Sequence, residues 1–305
     1  MLWIIDTDAG VDDAIALALP FSTDQQHRHH VLAITTVSGN VHVSKVNLNV
    51  GAVLDVLGAD VPIYAGCDRP LRERPAHAEE FHGPDGLGGA GLAKTERRPA
   101  DMHAALAICH LAKAYAGQVG LVTLGPLTNL ALACNLDPAL PTRISRLVIM
   151  GGAWQARGNQ TPAAEFNIAV DPESAHVVFE RFSNITLLPW EVSLDQMMPR
   201  DVFERIQSGR SARARFFAAM TRIADDWRAR FGFAGVPLPD PLAMVVALDE
   251  GAIAHALRAR VHVDIGHDVG RGLSALDYRN PQPNAHVVTA VDAARAWEMI
   301  AAAWA

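Results

Sequence analysis

Four carboxylates fall within eight residues near the start of the chain, in Asp6-Thr7-Asp8-Ala9-Gly10-Val11-Asp12-Asp13-Ala14, directly behind the apolar run Met1 to Ile5. No other stretch constrains the fold as much. The apolar run reads as a strand, Gly10 permits a sharp turn, and Asp12 and Asp13 ahead of Ala14-Ile15-Ala16-Leu17 open a buried helix whose N-terminus tolerates acids. Anions crowded onto one turn repel each other more strongly as water is excluded, so a positive partner is needed to keep them ionised. An acidic helix cap accounts for Asp12 or Asp13 but leaves Asp6 and Asp8 unexplained. Oxygen ligands with no Cys or His beside them favour calcium or magnesium over zinc.

Short β-rich runs recur between helical stretches, at Leu2 to Ile5, Val31 to Val37, Val61 to Tyr64, Gly120 to Leu124, Arg146 to Met150 and Ile185 to Leu188. Helices are expected at Asp12 to Leu19, Ser44 to Leu57, His103 to Tyr115, Asp171 to Phe182, Ser211 to Arg230, Pro241 to Leu248 and Val291 to Trp304. Such alternation indicates an α/β fold, one Rossmann-like domain over residues 1–305 with a mostly parallel central sheet flanked by helices. No repeat or linker divides it. In open sheets of this kind the ligand site lies at the carboxyl ends of the strands. There the sequence places Asp6-Thr7-Asp8, Ser38-Gly39-Asn40, Gly125-Pro126-Leu127-Thr128-Asn129 and Gly151-Gly152-Ala153-Trp154. Arg69 to Ala93, with five Gly and three Pro, and Arg222 to Pro241 read as loops able to cover such a site.

A formal charge of −7 and the absence of a basic stripe argue against nucleic acid or an anionic membrane as partner, and favour a small neutral or cationic ligand. Ala114 to Leu136 lacks charge, but Gly120, Gly125, Pro126, Thr128 and Asn129 divide it into strand, turn and helix, so it is not read as a membrane span. Cys67, Cys109 and Cys134 fit neither a disulfide framework nor a zinc cluster. Acids interrupt the first apolar segment before a signal peptide can form, which points to the cytoplasm. His27, His29 and His30 read as a solvated turn, and the Arg-rich stretch Arg205 to Arg230 as an exposed helix face.

A second polar constellation runs from Gly158-Asn159-Gln160 through Ala164-Glu165-Phe166-Asn167 to Asp171. Two amides and a carboxylate in one loop suit several hydroxyl groups, as on a sugar. Capping of a helix explains Asp171 but not Asn159, Glu165 or Asn167.

With these motifs together, the chain resembles the inosine-uridine-preferring nucleoside hydrolase family along nearly its whole length. Besides the opening acidic stretch, the resemblance rests on Gly39-Asn40, His82-Gly83, Gly125 to Asn129, Met150-Gly151-Gly152, Ala164-Glu165-Phe166-Asn167 and Asp240-Pro241. It implies hydrolysis of the N-glycosidic bond of ribonucleosides to base and ribose, in nucleoside salvage and purine or pyrimidine metabolism, by a homodimer or homotetramer. It implies calcium held by Asp8, Asp13, Asp240 and the Leu124 carbonyl, where the family usually has Thr. The substrate residues carried over are Asp12, Asn40, Asn159, Glu165, Phe166, Asn167 and Asp240, with no organic cofactor. Asp8 would take a proton from a metal-activated water that attacks the anomeric carbon through an oxocarbenium-like transition state with inversion.

One departure stands just before the last metal ligand, where many family members have His and this chain has Pro239. Proline cannot donate a proton, so His82 becomes the expected donor to the leaving base. Trp154, Trp227, Phe231 and Phe233 are candidates to pack on the base, although core packing also accounts for them. Two other readings remain open from sequence. A haloacid-dehalogenase-like phosphatase would use Asp6 as nucleophile but needs a strand-end Lys that Lys45, Lys94 and Lys113 do not supply. A non-catalytic calcium or nucleoside binding protein would use the same polar set without turnover.

Overall fold

Trp3 and Ile5 point to one face of the first strand and Ile4 to the other, and each side meets its own apolar cluster. This burial on both sides is what a parallel strand between two helical layers requires. The computed structural model describes residues 1–305. Nine strands form one sheet, β1 (Leu2–Thr7), β2 (His30–Thr36), β3 (Ile63–Ala65), β4 (Val119–Thr123), β5 (Ile144–Met150), β6 (Ile185–Leu188), β7 (Ile253–Val263), β8 (Ser274–Asp277) and β9 (Ala285–Val291). Their order across the sheet is β3-β2-β1-β4-β5-β6-β9-β7-β8. From β3 to β9 every pairing is parallel, while β7 runs antiparallel to both β9 and β8. The fold is thus the expected α/β layered sheet, mostly parallel.

The chain winds outward from β1 through β2 to β3, then returns to place β4 on the other side of β1. The carboxyl ends of β1 and β4 therefore flank a reversal of strand order, where the connecting segments diverge and leave a crevice. Helices Val11–Ala18, Val43–Leu57, Pro239–Leu248 and Ala293–Trp304 pack one face, and Ala104–Ala114, Thr128–Leu136 and Pro172–Arg181 the other. No helix is long and apolar enough to cross a membrane.

Two expectations about elements are corrected. The helix expected over Ser211 to Arg230 is two helices, Ala212–Met220 and Ala224–Phe231, joined by a 3₁₀ turn at Thr221–Ile223. The Thr221 hydroxyl donates to the Phe217 carbonyl at 2.6 Å, competing with the helical ladder where the axis breaks. The last helix begins at Ala293 because Val291 closes β9, and the Asp292 side chain caps it by accepting from Arg295 N–H. His29 does not stand free in a solvated turn, since its Nδ1 accepts the Trp3 indole N–H at 3.0 Å.

Candidate active site

The backbone turn after β1 puts its left-handed residue at Ala9 (φ +37°), and Gly10 is extended. Gly10 is needed for space instead, because a Cβ there would lie 2.5 Å from Asn40 Nδ2 and 2.6 Å from His82 Nδ1. Asp8 and Asp13 are fully buried beneath the crevice, while Asp12 and Asp240 line it. One carboxylate oxygen from each of Asp12, Asp13 and Asp240 lies within 4.8 Å of the others. Asp8 joins this trio through Asn40, whose Nδ2 donates to Asp8 Oδ1 at 3.1 Å and to Asp13 Oδ2 at 3.0 Å. The Asn40 backbone N–H also donates to Asp8 Oδ2, at 2.7 Å.

No Lys or Arg lines this cavity. Burial, then the neighbouring Asp13 charge, holds Asp8 well above the usual carboxylate range, and burial with the charges of Asp12, Asp13 and Asp8 does the same for Asp240. Burial pushes Asp12 up to about 6. Asp12 Oδ1 is buried without a hydrogen-bond partner. Oxygen-only donors held close together against mutual repulsion fit a hard divalent cation, and the unpartnered Asp12 oxygen is left to accept a hydrogen bond from a ligand.

Asp6 stands apart from this set. It is absent from the cavity wall, and its Oδ1 accepts from Asn129 Nδ2 at 2.8 Å and from the Thr35 hydroxyl. Burial raises it to about 7. Two donors from β2 and the helix Thr128–Leu136 occupy the Asp6 carboxylate, and no Lys or Arg lines the cavity to hold a phosphoryl group, so the site does not support the phosphatase reading.

Glu165 caps the helix Phe166–Val170, accepting from Asn167 N–H at 2.9 Å and Ile168 N–H at 3.3 Å, and it also accepts from Gly152 N–H at 2.9 Å. Burial raises it to about 7 against the pull of these donors. Asn167 Nδ2 donates to the Leu124 carbonyl at 2.7 Å, and Asn159 Oδ1 accepts from Phe166 N–H at 2.8 Å. Each of these residues therefore spends part of its hydrogen-bonding capacity on the loop itself. All three, with Phe166 and Leu124, line the same cavity as Asp12, Asn40, His82 and Asp240. Asp171 caps Pro172–Arg181 and accepts from the Thr128 hydroxyl, so its role is structural.

His82 is buried at the end of the short helix Glu79–His82. Its Nδ1 accepts from Val11 N–H at 3.1 Å and lies 3.7 Å from Asp12 Oδ1. Accepting at Nδ1 puts the proton of the neutral ring on Nε2. Burial lowers its pKa to about 4, with the Asp13 charge opposing.

Of the aromatic candidates, Trp227 and Phe233 line the cavity, whereas Trp154 packs on the second core and Phe231 stacks on Phe81 at 5.0 Å. The wall also contains His77, Glu80, Phe81, Trp190 and Pro237, which motif reading did not single out. Trp190 had a usable signal, since it stands just past the end of β6; Glu80 and Phe81 had only their adjacency to His82. The Trp227 indole N–H donates to the Phe81 carbonyl at 2.7 Å, and Arg230 pairs with Glu80 at 2.8 Å. These contacts join two short helices, Glu79–His82 and Ala224–Phe231, which stand within the segments expected as covering loops.

The fold and site define an α/β protein with a buried polycarboxylate centre at the strand ends, opening into a cleft lined by both polar and aromatic side chains. The family model for inosine-uridine preferring nucleoside hydrolases matches residues 3–298. The inosine-uridine preferring nucleoside hydrolase of Crithidia fasciculata is 31% identical over 304 residues, covering 97% of this chain and 95% of that protein. The pyrimidine-specific ribonucleoside hydrolase RihA of Salmonella typhimurium is 34% identical over 295 residues, covering 95% and 93%. Among solved structures, a plant nucleoside hydrolase superposes with a TM-score of 0.92 at 29% identity, covering 100% of this chain and 99% of that one. The chain belongs to the inosine-uridine preferring nucleoside hydrolase family and is a nucleoside hydrolase, an enzyme that cleaves N-glycosidic bonds.

Proposed function

We propose that this enzyme hydrolyses ribonucleosides to free base and ribose at a calcium centre held by Asp8, Asp13, Asp240 and the Leu124 carbonyl. The observation that carries the reading is that the buried carboxylate cluster opens into a cavity lined both by polar side chains, Asn40, Asn159, Glu165 and Asn167, and by aromatic ones, Phe81, Phe166, Trp190, Trp227 and Phe233, groups suited to a cation, a sugar and a flat base. When bound, calcium would lower the pKa of a water and engage ribose hydroxyls.

The remaining chemistry belongs to the side chains. Asp8, kept in place by two donors from Asn40, accepts the proton of the attacking water. Asp12 Oδ1, without a protein partner, accepts from a ribose hydroxyl. Asn159 retains its Nδ2 and Asn167 its Oδ1 for the sugar, while Glu165 fixes the loop that presents them. As the ring flattens toward an oxocarbenium ion, these fixed dipoles stabilise it without reorganising. His82 directs Nε2–H to the leaving base as a neutral donor, since burial keeps the ring uncharged. Trp227, Phe233 and Phe81 provide faces for the base.

The test is release of reducing sugar from a panel of purine and pyrimidine ribonucleosides and their 2′-deoxy forms, by chelator-treated protein and after calcium is restored. Turnover that needs calcium and prefers ribonucleosides supports the reading. Full activity in chelator overturns the metal assignment, and equal rates on ribo- and deoxyribonucleosides overturn the sugar contacts.

A further inference from the structure

Asn49 is a fully buried polar side chain in the middle of the apolar face of Val43–Leu57, among Val46, Val50 and Val53. Its Nδ2 donates twice, to the Ala9 carbonyl at 3.0 Å and to the Asp85 carbonyl at 2.8 Å. Ala9 is the left-handed residue between Asp8 and Gly10 in the carboxylate turn. Asp85 follows His82 and organises the glycine loop, its carboxylate accepting from Leu87, Gly89 and Gly91 N–H at 2.8, 2.8 and 3.0 Å. Gly88 N–H in turn donates to the His82 carbonyl at 2.8 Å.

A single amide group thus joins two segments more than seventy residues apart in sequence, each carrying part of the site. Lys45, four residues earlier and so on the same helix face, donates to the Pro84 carbonyl at 2.6 Å. Gly86 leaves room for the contact, since a Cβ there would lie 2.6 Å from Asn49 Nδ2.

We propose that Asn49 is a positioning residue, which sets the register of the carboxylate turn against the loop carrying His82 and so fixes the metal ligands and the base-facing imidazole as one unit. This rests on the calcium reading above. An apolar side chain of similar size would leave the Ala9 and Asp85 carbonyls without this donor, and the Ala9 conformation, unfavourable for a residue with a Cβ, would lose a contact that holds it.

The test is calorimetric titration of calcium into chelator-stripped parent, Asn49→Leu and Asn49→Ser proteins, well below their unfolding midpoints, with amide hydrogen exchange over residues 83–91 in the absence of metal. Asn49→Leu should bind calcium about 10- to 100-fold more weakly, as for other residues that orient metal ligands, and exchange faster in that loop. The control is Asn284→Leu. Asn284 is also buried and donates to the Phe179 and Val261 carbonyls at 2.8 and 3.0 Å, among the far strands of the sheet. Its loss should lower the unfolding midpoint and leave calcium affinity unchanged. A parent that binds calcium, with Asn49→Leu matching it in affinity and exchange, overturns the proposal alone. A folded parent that binds no calcium overturns the metal reading and the proposal with it. Should Asn49→Leu fail to fold, Asn49→Ser decides by the same two readouts.

Discussion

Gly39→Ala isolates the steric fit around Asp8. Gly39 has an ordinary backbone conformation, so alanine costs nothing in φ, but its Cβ would lie 2.1 Å from Asp8 Oδ2 and 2.8 Å from both Asp8 Cγ and Pro126 Cδ. Ordinary carbon contacts are about 3.5 Å, so Asp8 or the Gly39-Asn40 segment must move by roughly 1 Å. Such overpacking costs about 1–3 kcal/mol, and weakening the two Asn40 bonds to Asp8 removes charge-assisted hydrogen bonds worth about 1.5–3 kcal/mol each when intact. A displacement of that size at a reacting group lowers the rate by about 10²-fold. The assay is kcat on a good ribonucleoside with calcium affinity by calorimetry and the unfolding midpoint alongside. Gly58→Ala is the contrasting variant, with φ +65° and no atom within 4 Å of the added Cβ. It should lose about 1 kcal/mol of stability with kcat intact. Parental kcat and calcium affinity in Gly39→Ala would refute the placement of Asp8 at the reaction centre.

Without metal, stability should depend on pH through the buried carboxylates. Burial raises Asp6 and Glu165 to about 7, so the folded chain holds their protons more tightly than the unfolded one. Their stabilising contribution is full below about pH 4 and is lost as pH rises from there through 7, so urea midpoints in chelator should fall between about pH 4 and 7 and level off above, and Asp6→Asn should flatten the slope. Over most of the same window, between about pH 4 and 6.5, His82 acts in the opposite direction, because its buried ring gains a proton on unfolding. His82→Ala should slow ordinary nucleosides by roughly 10²- to 10⁴-fold while sparing p-nitrophenyl riboside, whose leaving group needs little help; equal losses on both would assign His82 to loop order instead. Trp227→Phe keeps an aromatic face but removes the indole N–H donated to Phe81, so KM should rise more than kcat falls, and an unchanged KM would separate that wall from base binding.

The sequence by itself determined β1 to β6, because parallel strands buried on both faces are written as short apolar runs between helices, and it determined the carboxylate turn, which brings Asp8, Asp12 and Asp13 together within one local segment. Only remote partners decided that Asp6 turns away to Asn129 and Thr35 and that Gly10 makes room for Asn40 and His82. It did not reveal β7 to β9. In β7, Arg258, Arg260 and His262 alternate with Ala259, Val261 and Val263, so one face carries charge and the strand has no continuous apolar run. The split of the 212–231 helix falls where the Thr221 hydroxyl bonds back to the Phe217 carbonyl, a local choice that the helical pattern of the sequence does not disclose. At the site, the tertiary structure alone decided which aromatic side chains became wall and which became core. Trp227, Phe233, Phe81 and Trp190 reach the cleft from separate segments, while Trp154 and Phe231 of the same residue types do not line it. Strand ends and turns follow from the chemistry of neighbouring residues, whereas a side chain's outlook onto a cavity depends on how remote segments pack, and in this chain contacts such as Asn49 to both Ala9 and Asp85 fix that packing.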